Sequence, residues 1–330
     1  MRSNFINQSI YTMQKLVPKL MSVILMAVMF TLVSSCDDDN DSSVFPFHAE
    51  IYSTIQGRQV AFQGLTHSTE SWSWDFGDGK TSTEQNPVHI YDAGGYYVAK
   101  LTAKDSKGET ITKSVNLAVN LRPYDYLVGD QTTAGYKGKK WKLTKSHTAA
   151  GDYLANADAT FTSATPYNPV PDGIFATSTF NMGAIYDDTY TFSYDGSYVH
   201  DVKADGGAFG GLVYQIATGG YPANVLVGNA TYGLCIAKYT PQADAKFTFV
   251  ESEDFKVSSA YSSAGITFKG AKTLDFSGTE FIGFRDFQRK VVMRSISNTR
   301  MQLIMFMAAS DKAVGVNTHA LILSFEAVTE

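Results

Sequence analysis

Residues 71–79, Ser-Trp-Ser-Trp-Asp-Phe-Gly-Asp-Gly, constrain the fold of this chain more than any other stretch. Trp72, Trp74 and Phe76 stand two apart, so an extended backbone sets all three rings on one face. Gly77-Asp78-Gly79 then offers the positive φ that a tight reversal needs. A strand with three large rings on one side must bury that side against a second layer. The period continues downstream: Tyr97, Ala99 and Leu101 share one face of 95–101, while Tyr96, Val98 and Lys100 share the other. The tryptophans are therefore expected in a core and not as platforms for sugars. Asp75 and Asp78 read as turn formers.

These residues carry a resemblance. Trp74-Asp75-Phe76-Gly77-Asp78-Gly79, Asn86-Pro87, His89, Tyr91 and the run from Gly95 through Tyr97 to Leu101 resemble the PKD (polycystic kidney disease) domain. The resemblance covers 46–120 and implies an immunoglobulin-like β-sandwich. Such domains are usually spacers or interaction modules.

Leu121-Arg122-Pro123 interrupts the strand pattern, so 121–125 reads as a linker. Beyond it, in 126–330, no 3.6-residue periodicity stands out. Short apolar segments recur instead between Gly, Asp, Asn and Ser: 140–143, 190–194, 197–202, 212–216, 233–239 and 246–250. Others follow at 266–268, 273–276, 281–284, 291–296, 301–307 and 320–325. Together with 27 glycines and a wealth of tyrosine and phenylalanine, they predict an all-β chain. The second domain is expected to be the larger, a β-sandwich or jelly roll. Trp141 reads as a core residue there. Asp195-Gly196 predicts a two-residue hairpin turn pairing Tyr194 with Ser197, Phe192 with Val199 and Tyr190 with Asp201. That register puts Thr191, Ser193, Tyr198 and His200 on the outer face, either plain solvent surface or the wall of a sugar site.

A second resemblance rests on Gly138-Lys-Lys-Trp141-Lys-Leu143, Ile185-Tyr-Asp-Asp188-Thr-Tyr-Thr-Phe192, Tyr194-Asp-Gly-Ser-Tyr198 and the 293–303 segment. They resemble the C-terminal domains of PKD-containing surface lipoproteins from polysaccharide utilisation loci. The resemblance implies a carbohydrate-binding-module-like domain, without catalysis, holding a polysaccharide or oligosaccharide beside an outer-membrane importer complex. Relatives of that kind often carry tryptophans after the Trp141 strand, and 151–187 here has none. Sugar rings stack a C–H face on an aromatic ring while amides and carboxylates take their hydroxyls. Long connections often hold such sites. The glycan-binding candidates are therefore Tyr153, Tyr167 and Phe175 in that connection, then Tyr221, with Tyr198 and His200 on the hairpin.

The amino-terminal region adds an address. Arg2, Lys15 and Lys19 precede an apolar run, 21–33, shorter than the ~20 residues of a spanning helix. Val33-Ser34-Ser35-Cys36 resembles a bacterial lipobox, implying a lipoprotein signal peptide over 1–35 and lipidation of Cys36. An internal start at Met13 would give a more ordinary signal. The acidic tether 36–45 opens with Asp37, Asp38, Asp39 and Asp41, resembling a surface-export tag. The implied location is the outer membrane, anchored by lipid and exposed on the cell surface.

All 32 acidic residues lie beyond residue 35, where 24 of the 27 basic residues also lie, so the mature chain carries −8. Such a balance without basic clusters argues against nucleic acid as a partner. Cys235 is the one cysteine left and reads as a small buried hydrophobe. The six histidines lack metal-ligand spacing, so no metal or other cofactor is called for. A structural calcium at Asp187-Asp188 is a minor alternative to strand-edge charge. Glycoside hydrolysis needs two placed carboxylates. Glu251-Ser-Glu253-Asp254-Phe-Lys256 departs at two positions from the Glu-x-Asp-x-x-Glu of laminarinase-type sandwiches, and reads as a solvated edge. A divergent hydrolase is thus the least favoured alternative, behind an adhesion or structural lipoprotein that binds protein.

Overall fold

The computed structural model describes residues 46–158 and 168–329. The signal segment, Cys36, the acidic tether and Tyr167 lie outside the described residues.

The first domain is the expected immunoglobulin-like sandwich. Strands β1 (His48–Gln56), β2 (Gln59–His67) and β5 (Val88–Ile90) form one sheet in the order β1-β2-β5. Strands β3 (Ser71–Asp75), β4 (Thr81–Ser82), β6 (Gly95–Lys104) and β7 (Thr110–Val119) form the other, in the order β4-β3-β6-β7. Their inner faces share Val60, Phe62, Trp74, Phe76, Tyr91, Ala99 and Leu101. Trp74 is fully buried, and its indole N–H donates to the Glu84 carbonyl at 2.9 Å. Trp72 packs half-buried at the margin. Gly77 has φ +79°, and a Cβ there would stand 2.6 Å from the Val98 carbonyl oxygen, so only glycine fits. Asp75 and Asp78 accept from the backbone N–H groups of Gly77 and Lys80. Asp78 also holds His89 at 2.7 Å, and that ring stacks on Phe76 at 4.1 Å.

The second domain is the larger β-sandwich. It contains β8 (Lys139–Leu143), β9 (Tyr153–Asn156), β10 (Asn168–Pro169), β11 (Thr189–Phe192), β12 (Tyr198–Asp201), β13 (Gly207–Gly211) and β14 (Val225–Asn229). The remaining strands are β15 (Leu234–Lys238), β16 (Phe247–Ser259), β17 (Ser262–Phe276), β18 (Val291–Ile296), β19 (Arg300–Met307) and β20 (His319–Ala327). Ten strands make one sheet, β12-β11-β8-β20-β19-β18-β17-β16, with β9 on β20 and β10 on β9. A three-stranded sheet, β13-β15-β14, faces it. Phe209, Leu234 and Ile236 from the small sheet share a core with Leu303, Met305, Leu321, Leu323 and Phe325 from the large one. Trp141 is fully buried in that core and donates to the Leu127 carbonyl at 2.9 Å.

The second face of the large sheet is covered too. The β16–β17 hairpin is bulged between Val250 and Phe255. Beyond the bulges Phe255, Val257, Ile266 and Phe268 pack with Val292, Ile304, Phe306, Ala320 and Ile322. Its tip is tied to the β19–β20 connection, where the Ala260 N–H donates to the Asn317 carbonyl at 2.8 Å. Next to this apolar patch, Gln302 and Ser324 on the same face meet Asp152 at 3.0 and 2.6 Å. The central strands are therefore buried on both sides, which explains why 301–307 is almost continuously apolar and does not alternate.

Three expectations need correction. The linker reading of 121–125 ends inside a helix, α1 (Pro123–Val128), for which Pro123 at the first turn supplies a preset φ. Asp125 fixes its start by accepting from the Arg122 backbone N–H at 2.8 Å. The apolar run 212–216 belongs to a helix, α3 (Leu212–Ala217), after α2 (His147–Ala150). A run so short does not distinguish strand from buried helix by period.

The third correction concerns the hairpin. Phe192 pairs with Tyr198, Thr191 with Val199 and Tyr190 with His200. The loop holds three residues, Tyr194-Asp195-Gly196, because the Ser193 N–H donates to the Ser197 carbonyl and Gly196 takes φ +81°. A one-residue slip sends every β12 side chain to the other face. Tyr198 and His200 point into the core and Val199 is exposed. The Tyr198 hydroxyl donates to the Phe281 carbonyl at 2.5 Å, so neither residue can meet a glycan.

Candidate functional site

A cleft of about 530 Å³ opens at the end of the second sandwich, where strands stop and connections begin. One wall comes from β9, β10 and the 3₁₀ turn Ile174–Ala176, through Leu154, Pro169, Val170 and Ile174. The other is α3, through Val213 and Ile216, with the turn 230–233. Leu234, Met307 and Leu321 from the two sheets form the floor. The sequence forces this shape at Gly233, whose φ is +68° and whose missing side chain leaves room for the Met307 methyl.

Tyr232 is the exposed ring of the cleft, 53% accessible. Phe180 backs it, ring centroids 4.9 Å apart, and Asn229 Oδ1 accepts from its backbone N–H at 3.3 Å. A ring held from behind with a free face meets the requirement for stacking on a sugar. Polar groups at the margin are Asn168, Thr231, Asp311 and His319. Burial lowers the His319 pKa below its ordinary value, so the imidazole is neutral at pH 7 and suited to hydrogen bonding. Its Nδ1 lies 2.8 Å from Thr318 Oγ1.

The sequence candidates divide around this cleft. Phe175 reaches it but is only 4% exposed, wedged against Phe180, Phe209 and Tyr186. It shapes the base and offers no free platform. Tyr153 faces the other side of its strand, with the Arg294 guanidinium 5.6 Å from its ring. Tyr221 is exposed but does not line the cleft. Tyr232 escaped the sequence reading because it was taken only as the edge of the apolar run around Cys235. Its signal was an aromatic inside a polar turn, Asn229-Ala230-Thr231-Tyr232-Gly233. Cys235 itself is buried, its thiol pushed up to about 12 by desolvation.

Carboxylates are not arranged for hydrolysis. Asp311 is the single acid among the described residues of the cleft. Glu253 is held by Lys290 at 2.6 Å and by Thr273, which lower its pKa. His147, Asp152 and Ser324 meet in the core, yet no serine–histidine pair exists. His147 spends one nitrogen on Asp152 at 2.7 Å and the other on Tyr186 at 2.8 Å, and both His147 and Asp152 are sealed. Among the described residues no group of three or more histidine, cysteine, aspartate or glutamate side chains could hold a metal.

Comparison with known proteins places the first domain. Residues 52–119 match the PKD domain family. Collagenase ColA of Bacillus cereus is 35% identical over 94 residues, 27% of this chain and 9% of that protein. The metalloprotease PrtV of Vibrio cholerae is 34% identical over 70 residues, 20% of this chain and 8% of the protease. The crystal structure of the PrtV PKD1 domain is 32% identical, covering 23% of this chain and 98% of that one, with a TM-score of 0.22. The chain thus spans about a tenth of the collagenases it matches. A carbohydrate-binding module of the β-sandwich superfamily overlaps 86% of this chain and 92% of its own at 10% identity, but its TM-score of 0.25 carries no weight here.

Proposed function

We propose that this chain is a lipid-anchored protein of the outer cell surface whose second sandwich captures a polysaccharide without cleaving it. The PKD domain spaces it from the membrane, and the captured polymer is held near an outer-membrane importer. The observation that carries the reading is the cleft with Tyr232 fixed at its mouth beside Asn168, Asp311 and His319. Attachment of many copies to one membrane would raise avidity for a long polymer. A lone carboxylate supports binding without turnover.

The test is affinity electrophoresis of the mature chain carrying Cys36→Ser through gels containing plant, algal, fungal and host polysaccharides. Retardation by one polymer without release of reducing sugar is expected. Tyr232→Ala should weaken it about tenfold, or ~1.4 kcal/mol, with unchanged thermal unfolding. Equal retardation of both proteins would remove Tyr232 from the site. In cells, Cys36→Ser is expected to abolish labelling by a palmitate analogue and to move the protein to the soluble fraction. Persistent labelling would overturn the anchor.

One observation favours a protein-binding role alongside. On the outer face of the β1-β2-β5 sheet, Tyr52, Leu65, Val88 and Ile90 are all exposed. That flat apolar face belongs to the PKD domain and suits contact with another protein.

A further inference from the structure

Resting on the glycan reading, we propose that Arg285 seats an acidic group of the bound polymer, a carboxylate or sulfate ester carried on a sugar ring. Six arginines fall among the described residues. Five donate a hydrogen bond: Arg58, Arg122, Arg289, Arg294 and Arg300. Arg285 alone has neither hydrogen bond nor ion pair among the described residues, and its Nε is buried without an acceptor. This is unusual, since a buried donor left unsatisfied costs about 1–3 kcal/mol.

The side chain is nevertheless fixed. Its guanidinium carbon lies 5.3 Å from the centre of the Tyr214 ring and 4.9 Å from that of Tyr239. Both rings are anchored in turn, Tyr214 edge-on to Phe287 at 5.1 Å and Tyr239 to Phe281 at 5.0 Å. Aromatic faces hold a guanidinium plane without occupying its N–H edge. A planar fork so placed, with no acid of its own, is preorganised for a two-oxygen anion. Arg285 is only partly buried, so the fork is not sealed from ligand.

Its position fits the cleft. Tyr214 belongs to α3, whose Val213 and Ile216 line the cleft wall, and successive helix residues turn by about 100°. The short helix therefore separates the Tyr232 platform from the Arg285 fork, and a chain of sugars crossing it would meet both. In a chain of net −8 the attraction is local to this one side chain and not a property of the surface.

The experiment compares retardation of the mature protein (Cys36→Ser), R285Q, R285K and Y232A by polygalacturonate, dextran sulfate and a panel of neutral glucans and galactans. Retention by the carboxylated or the sulfated polymer is expected, and which of the two responds identifies the anion. R285Q should lose at least tenfold in affinity with matched thermal unfolding, because no hydrogen bond is removed. R285K should keep the charge but stay several-fold weaker, because the fork is lost. Equal binding of R285Q and the parent overturns the proposal. Retention by neutral polymers alone also overturns it, while leaving the glycan reading standing. If no polymer is retained by any protein, the glycan reading itself fails and the proposal with it.

Discussion

Replacing Trp141 by alanine is expected to lower the stability of the second domain by about 3–5 kcal/mol, the range for removing a buried tryptophan. The effect is large because three things go together. The ring fills the core between α1 and the large sheet, where no other tryptophan is available. Its N–H leaves the Leu127 carbonyl without a donor. Lys139, whose ammonium stands 4.6 Å over the ring, loses that contact while staying half-buried. Desolvation already pulls the Lys139 pKa down to about 8. The measurement is urea unfolding followed by far-ultraviolet circular dichroism. Fluorescence from Trp72 and Trp74 then reports separately on the PKD core. A shift below 1 kcal/mol in the dichroism transition would refute the assignment of Trp141 as the keystone of this core.

The second large effect concerns pH. Asp188 is almost wholly buried at the start of β11, and its Oδ2 has no partner. Desolvation, helped by the charge of Asp205, raises its pKa from 3.8 to about 8. Desolvation likewise raises Asp286 to about 7, against the backbone N–H groups of Phe287 and Ala308. In both cases the folded chain keeps a proton that the unfolded chain has shed, so stability falls as pH rises from about 4 towards those values. His200 and His319, lowered by burial, act in the opposite sense: their contribution is lost as pH falls below 6.5. Asp188→Asn imitates the protonated acid. It should change little at pH 5 and raise stability at pH 8 by on the order of 3–5 kcal/mol. Thermal melts at the two pH values decide this. An equal shift at both would mean that Asp188 does not titrate in this range.

How much of this was legible beforehand varies with the range of the interaction involved. The PKD sandwich could be read because Trp74, Phe76, Gly77 and Leu101 each answer to a local rule, strand alternation or a turn that only glycine can make. The β character of the second domain could be read for the same reason. The register of the 189–201 hairpin could not. Asp-Gly suits a two-residue turn, but the Asp195 side chain accepts from the Ser197 N–H at 3.0 Å and the loop takes one residue more. That single residue removed Tyr198 and His200 from the surface. Helix α3 and strand candidates of its length look alike, since five apolar residues show no period. Tyr232 and Arg285 were hidden for another reason. What marks them is the free ring face of one and the missing partner of the other, and both depend on residues far away in sequence.

The folded-over β16–β17 hairpin has a consequence for how such a protein can change. With both faces of the large sheet covered, its strands have no surface left on which to write a new ligand preference. Recognition is confined to the connections 168–180 and 230–233 and to the short helix beside them. Those segments can be exchanged for others of similar length while strands β18 to β20 keep their neighbours. The scaffold would then outlast many changes of diet.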